Sequence, residues 1–325
     1  LRPLNDALTY RSLISFVSFF AKIRALTPWR DQAFSTMTIS ISGFTFIRNG
    51  VELGFPFEAS IRSLLPLVDE FVIAIGQGND DTLARVRGMN EPKIRIIETI
   101  WNERMAERGF VYAQQKMIAQ YSCIGDWAFY LEGDELVHED ELAAIRQSVD
   151  KHHANPKVEA LVFDYLHFYG APDWIATSPA WYRRECRLVR NTIRTYAPDG
   201  QFWVAMDRHK RGRTLNAALA NAHIYHYGHV RKQQYMQQKL EQTTKYWTKS
   251  APKADYSQID ARAVQPFAGQ HPQVIQGWLE TEAEKTFAPD PHHVLTAREK
   301  KHRWSMRLEK LFGWDLSHKH YKLVA

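Results

Sequence analysis

The sequence predicts an α/β fold, a Rossmann-like, mostly parallel and doubly wound sheet with helical appendages at its N- and C-terminal ends. Two observations carry this. From Thr38 onward, apolar β-type runs alternate with amphipathic helical stretches, the order that lays a parallel sheet between two layers of helices. Each strand-to-helix junction is polar or glycine-rich: Arg48-Asn49-Gly50, Gly76-Gln77-Gly78-Asn79-Asp80-Asp81 and Trp101-Asn102-Glu103. In open α/β sheets ligands bind beyond the carboxyl ends of the strands, so these junctions are expected to converge on one site.

The strands read at 38–47 (TISISGFTFI), 70–75 (EFVIAI), 93–98 (KIRIIE) and 127–131 (WAFYL), with helices between them at about 57–65, 82–88 and 108–121. After a helix at about 139–149 the alternation fades. A strand at 159–166, an Arg-rich segment at 181–190 and a strand at 222–227 suggest a mixed second half of the sheet. Residues 249–272 read as loop, and 296–312 as a basic amphipathic helix with Trp304, Leu308 and Leu311 on one face. The expected divisions are a basic helical segment at 1–36, a catalytic α/β domain at 37–248, and a loop and helical extension at 249–325.

The chain has 325 residues, 45% of them hydrophobic, and a net charge of +6. Residues 1–36 hold five Lys/Arg against two Asp/Glu and residues 298–325 hold eight against three, leaving the body at −2. A near-neutral body argues against a nucleic-acid groove through the fold and suits an enzyme whose ends touch an anionic surface, such as lipid headgroups. Cys123 and Cys186 show no metal-ligand spacing and are expected to be reduced core residues. The longest apolar-rich run, Leu13 to Phe20, is far short of the ~20 residues of a membrane span, and no signal-peptide cleavage pattern follows it. A cytoplasmic protein with peripheral contact on the inner face of the membrane is the expectation.

Glu132, Asp134 and Glu135 follow directly on the strand at 127–131. Three carboxylates there repel one another unless a cation neutralises them. Mg²⁺ or Mn²⁺, which takes one or two carboxylates and completes its shell with phosphate oxygens and water, fits this arrangement. The bland alternative is an acidic turn that caps the next helix.

The segments FTFIRNG, DEFVIAIGQGNDDT, AQQKMIAQ, GDWAFYLEGDE, FDYLHFYG, WYRRECRLVRN and IYHYGHVR resemble, in order and spacing, the successive motifs of glycosyltransferase family 2. They are closest to a bacterial branch that pairs an A-D-E-type acidic motif with an HYG motif. The resemblance runs from about residue 38 to near the C-terminus. It implies a GT-A fold and transfer of a sugar from a nucleotide-sugar donor to a glycan or lipid-linked acceptor, usually with inversion.

In such enzymes the acidic motif is D-x-D, so the resemblance gives Asp134 the metal and puts Glu132 towards the donor ribose, one methylene longer than the usual Asp. Asn49 matches the Asn after the first strand, and Asp81 matches the later carboxylate after the second, where Gly76 stands in place of the early one. Met117 replaces a frequent Asn. Lys116 and Arg48, if they face the same cleft, add positive charge to the diphosphate; their bland readings are a solvated helix face and a loop surface.

In AHIYHYGHVR, strand alternation sets His226 on the face opposite Tyr225 and Tyr227. The HYG resemblance makes His226 a metal ligand, with His229 the next candidate and a hydrogen-bonded core histidine the alternative. An inverting transfer needs a carboxylate base. Asp199, in a Pro/Gly loop, is the first choice, with Asp173 and Asp207 competing. Tyr165, His167, Phe168, Tyr169, Trp174, Trp181 and Tyr182 are expected to line an acceptor channel or to pack the sheet edge, with Arg183, Arg184 and Arg187 beside them. The rivals are a sugar-phosphate nucleotidyltransferase, whose glycine-rich basic signature is missing, and a catalytically silent GT-A module that binds glycan or a membrane partner.

Overall fold

Strand periodicity shows how the sheet is covered. In β1 (Ile41–Ile47), β2 (Glu70–Gly76) and β4 (Trp127–Tyr130) alternate side chains enter two separate cores. Ile41, Ile47, Phe71, Ile73, Trp127 and Phe129 belong to one, and Phe44, Val72, Ala74, Ala128 and Tyr130 to the other. Both faces are therefore buried, as a doubly wound sheet requires. Helix α1 (Phe57–Leu64) supplies Phe57, Ile61 and Leu64 at helical spacing to the first core, and α3 (Phe110–Tyr121) supplies Ala119 to the second. Between them α2 (Thr82–Gly88) leads into β3 (Ile94–Thr99).

The computed structural model describes residues 38–105, 107–246 and 251–324. The predicted segment 1–36 lies outside the described residues. Among the described residues an eleven-stranded sheet has β3, β2, β1 and β4 side by side and parallel. Beyond β4 it becomes mixed: β8 (Arg184–Arg190) runs antiparallel between β4 and β6 (Ala160–Tyr169), and β7 (Ala171–Ala176) is antiparallel to β6. Here lies the α/β fold that the sequence predicts.

On the other edge of β6 lies β12 (Leu215–His229), parallel to it and 15 residues long, where only 222–227 was expected as strand. Its first half is rich in small buried residues, Ala217, Ala218, Ala220 and Ala222, and α4 (Leu142–His153) lies against it with the Ser148 hydroxyl donating to the Ala220 carbonyl at 2.7 Å. The two-residue strand β5 (Glu135–Leu136) pairs antiparallel with Tyr225 and His226 of β12. A separate hairpin sheet consists of β9 (Thr195–Tyr196), β10 (Val204–Met206) and β11 (Gly212–Arg213).

After β12 come α5 (Gln233–Thr244), β13 (Val264–Pro266), α6 (Gln276–Thr281), α7 (Ala297–Phe312) and β14 (Tyr321–Leu323). The stretch 249–272, read as loop, thus contains a strand, β13, which pairs with β7 at the sheet edge. β14 pairs in parallel with the start of β12. Cys123 and Cys186 are buried and unpaired thiols. Among the described residues no helix is long and apolar enough to cross a membrane.

Candidate active site

Beyond the carboxyl ends of β1 and β4 a cleft of about 470 Å³ opens, lined by Phe46, Arg48, Asn49, Trp101, Tyr112, Glu132 and, from later in the chain, Gln201, Lys239 and Tyr246. One wall is aromatic. Phe46 and Trp101 lie 6.2 Å apart, Trp101 meets Tyr112 edge-on at 5.3 Å, and Tyr112 meets Tyr246 edge-on at 5.1 Å. Gly76 makes this wall possible: a Cβ there would come within 2.2 Å of the Trp101 indole nitrogen.

Asn49 and Arg48 both line the cleft. Asn49 adopts a left-handed backbone (φ 53°), its side-chain oxygen accepts from the Asn79 amide at 3.3 Å, and its amide donates to Glu52 at 2.8 Å, so it ties the first junction to the second. Arg48 lies over the Trp101 ring and pairs with Glu103, which also receives Lys245 at 2.9 Å and the Tyr246 hydroxyl at 2.7 Å. Burial works against ionisation of Glu103, but hydrogen bonds from Tyr246, Lys245 and Arg48 outweigh it and hold the carboxyl down at about 2.

Two expected cleft residues do not line it. Asp81 is exposed at the start of α2. Lys116 is fully buried rather than on a solvated helix face: its ammonium donates to the carbonyls of Gly200 at 3.2 Å and Gln201 at 3.0 Å and lies over the rings of Trp203 and Tyr130. Burial, reinforced by nearby Arg187, pushes its pKa well below the ordinary lysine value. Lys116 anchors the loop that carries Asp199. That carboxylate accepts from the Gln201 amide at 2.8 Å, beside the cleft-lining Gly200 and Gln201. Asp173 is exposed on β7, and Asp207 is held on the β10–β11 hairpin by the amides of His209 and Arg211 at 2.8 and 2.9 Å. Neither lines the cleft.

The acidic motif is neutralised mainly by the protein's own cations. Glu135 is fully buried and takes a two-pronged contact from Arg187 (2.8 Å to each oxygen) and a hydrogen bond from the Tyr165 hydroxyl at 2.7 Å. Arg187 also reaches Glu132 at 3.4 Å. Burial first, and then the Glu135 carboxylate, raise the pKa of Glu132, with Arg187 opposing. Asp134, 1% exposed, receives Arg231 at 2.6 Å and Lys239 at 3.1 Å on one oxygen, Oδ2. Burial would raise its pKa; the charges of Lys239 and Arg231 prevail and keep it below the ordinary carboxylate range. Arg231 and Lys239 were not singled out from sequence. Arg231 ends the quoted HYG segment, but Lys239 lies in a polar helix with no local signal.

The second oxygen of Asp134, Oδ1, is buried without a hydrogen-bond partner, and His226 Nε2 stands 3.8 Å from it. The tautomer of His226 follows from its neighbours. His167 Nε2 lies 2.8 Å from the Tyr182 carbonyl, which can only accept, so that nitrogen carries the proton. His167 Nδ1 then accepts from His226 Nδ1 at 2.8 Å, leaving the lone pair of His226 Nε2 towards Asp134. Burial keeps both rings neutral, pushing His167 down to about 4 and His226 well below the ordinary value. Gly228 permits the approach, since a Cβ there would come within 2.4 Å of His226 Nε2 and 3.4 Å of Asp134 Oδ2. His229 instead packs edge-on against Trp181 at 4.8 Å.

Among the described residues no group of three or more His, Cys, Asp or Glu is placed to hold a metal ion. The orphaned carboxylate oxygen and the facing imidazole lone pair fit two positions of a Mn²⁺ or Mg²⁺ shell whose remaining ligands are diphosphate oxygens and water. The expected aromatic cluster is real as packing: Tyr165 and His167 stack at 4.9 Å, His167 and Trp181 lie 5.2 Å apart, and Tyr165 and Tyr182 meet edge-on at 4.8 Å. Arg183 and Arg184 are engaged by Glu309 and Asp164.

No protein-family model matches the chain, and no curated protein matches it. Among solved structures it is similar to TarS 1-349 of S. aureus in complex with UDP (14% identity, TM-score 0.32, 47% of each chain covered). It is also similar to the Mycobacterium tuberculosis glucosyl-3-phosphoglycerate synthase in complex with Mn²⁺, UDP and phosphoglyceric acid (17%, 0.26, 40% of this chain and 43% of that). A third is the mannosyltransferase PcManGT from Pyrobaculum calidifontis in complex with GDP-Man and Mn²⁺ (18%, 0.31, 54% and 51%). The match takes in about half of each of these chains or less. What the site does is a question for its own residues.

Proposed function

We propose that this chain is a metal-dependent, inverting glycosyltransferase of the GT-A type, moving a sugar from a nucleotide-sugar donor to a glycan or lipid-linked acceptor. The observation that carries the reading is the buried, unpartnered Asp134 Oδ1 facing the lone pair of His226, behind Lys239, which lines an aromatic and cationic cleft beyond the strand ends. A nucleobase would stack on the wall of Phe46, Trp101, Tyr112 and Tyr246. The diphosphate would lie towards Arg48 and Lys239, with Asn49 and Glu132 near the ribose.

Asp134 and His226 would hold the Mn²⁺ or Mg²⁺, which when bound supplies Lewis-acid charge to the diphosphate leaving group. Asp199 takes the proton of the acceptor hydroxyl as its oxygen bonds to the anomeric carbon. The bond from that carbon to the diphosphate breaks, and the nucleoside diphosphate leaves with the electron pair. Lys239 and Arg48 offset the charge that gathers on it.

A donor screen for nucleoside diphosphate release, with and without Mn²⁺, tests this; no release from any UDP-, GDP- or dTDP-sugar sinks it. A silent binding module is the second reading, favoured by the two cations already seated on Asp134 Oδ2. Thermal shifts with UDP, GDP and dTDP but no turnover would select it. His167→Phe removes the partner that orients His226 and is expected to weaken Mn²⁺ binding by roughly 10–100-fold, the usual cost of losing an outer-shell partner. Titration of Mn²⁺ by electron paramagnetic resonance reads the change, and unaltered affinity would remove His226 from the ligand set.

A further inference from the structure

Helix α7 is turned the opposite way from a helix that packs by its apolar stripe. It starts at a capping box between Thr296 and Glu299 and ends at Gly313 in the left-handed conformation. The side facing the body is polar and ion-paired. Arg303 contacts Asp260 at 2.6 and 2.8 Å, Glu309 receives Arg183 at 2.5 and 2.8 Å, and Glu299 meets His293 at 2.9 Å.

The apolar row expected from the sequence therefore points to solvent: Trp304 is 64% exposed, Leu308 38% and Leu311 73%. It continues into Phe312 and Trp314, stacked on each other at 4.6 Å and both more than half exposed. Lys300, Lys301, Arg307 and Lys310 stand around this row with no carboxylate partner among the described residues, whereas both carboxylates of the helix, Glu299 and Glu309, are engaged by the body through His293 and Arg183. Soluble domains seldom leave such a contiguous apolar patch uncovered, and a cationic rim is the pattern of helices that lie in a membrane interface.

We propose that the outward face of α7 docks on an anionic membrane surface, with Trp304, Leu308, Leu311 and Phe312 entering the headgroup boundary and the four cations over acidic headgroups. Charge decides between occupants. A second copy related by a two-fold axis would set these cations against themselves, and the segment 1–36, itself net positive, offers them no complement. A nucleic acid would satisfy the cations and leave the apolar row wet.

Full-length protein should co-sediment with phosphatidylcholine vesicles containing phosphatidylglycerol, not with phosphatidylcholine alone, and the bound fraction should fall as salt is raised. Trp304→Glu/Leu311→Glu and, separately, Lys300→Glu/Lys301→Glu should each lower binding about tenfold or more. These positions face solvent, and unchanged thermal unfolding confirms the variants are folded. Absence of binding to anionic vesicles, or full binding by both variants, overturns the proposal. So does a dimer in light scattering that Trp304→Glu/Leu311→Glu dissolves while the wild type ignores vesicles. The assay contains no nucleotide or sugar, so its failure is separate from failure of the glycosyl-transfer reading.

Discussion

Asp134→Asn is expected to lower the stability of the fold by ~3–5 kcal/mol, the cost of leaving a buried charge without its partner. The substitution keeps volume and deletes charge, and that charge is structural: Arg231 is fully buried and its ion pair is Asp134 at 2.6 Å. Chemical denaturation followed by circular dichroism reads the loss. Asp134→Asn/Arg231→Met should recover much of it, since the second change removes the stranded guanidinium; its bond to the Leu53 carbonyl, 2.9 Å long, and its place over the Phe55 ring, 4.2 Å from the centroid, are then forgone. A single variant as stable as wild type would mean that the pair is not structural. The pH dependence has a defined sign. The folded pKa of Asp134 lies below its unfolded value, so its contribution is fully present above the unfolded pKa of about 4 and is lost as the pH falls through the folded one. The gap between wild type and variant should thus be full at neutral pH and close in strong acid. In the Arg231→Met background, Asp134→Asn can then be tested for loss of Mn²⁺-dependent nucleoside diphosphate binding without the folding defect.

Asp199→Asn is expected to reduce turnover by about 10²–10⁴-fold while the apparent affinity for donor stays near wild type, since a general base acts on the acceptor in the transition state. The structure makes this substitution a clean one. Asn retains an oxygen to accept from the Gln201 amide, and Lys116 holds the Gly200 and Gln201 carbonyls independently, so the loop keeps its shape. Steady-state kcat against donor KM separates the cases. A fall in donor affinity with kcat unchanged would make Asp199 a binding residue, and wild-type turnover would place the base elsewhere.

The parallel half of the sheet was legible because β1, β2 and β4 are buried on both faces and spell it in near-continuous apolar runs. The start of β12 was not, since Leu215 to Ala222 is written in alanine and asparagine, chosen for close packing under α4 and carrying little β signal. β5 has two residues, too few for any period to show. The acidic motif was legible as a site that needs positive charge. Its cations were not, because Arg187, Arg231 and Lys239 come from three later elements and nothing local marks them as partners of Glu135 and Asp134. The buried role of Lys116, expected to add charge to the cleft or else to lie on a solvated helix face, was not legible for a related reason: a lysine whose ammonium is satisfied by two carbonyls and two aromatic rings looks in sequence like any other helical lysine. Trp304, Leu308 and Leu311 were correctly grouped on one face, but periodicity alone does not say which way that face turns.

Asp134 meets Arg231 and Lys239 across sequence separations of 97 and 105 residues. A chain emerging from the ribosome has therefore made its acidic turn long before the residues that tame it exist, and β12, which Arg231 and the Lys239 helix α5 follow, pairs with strands far back along the chain. Long-range pairing of this kind is slow to form. The site is accordingly expected to form late in folding, and the cation and nucleotide binding proposed for it would report that the last strands have seated. A refolding experiment followed by nucleotide fluorescence should lag behind one followed by far-ultraviolet circular dichroism.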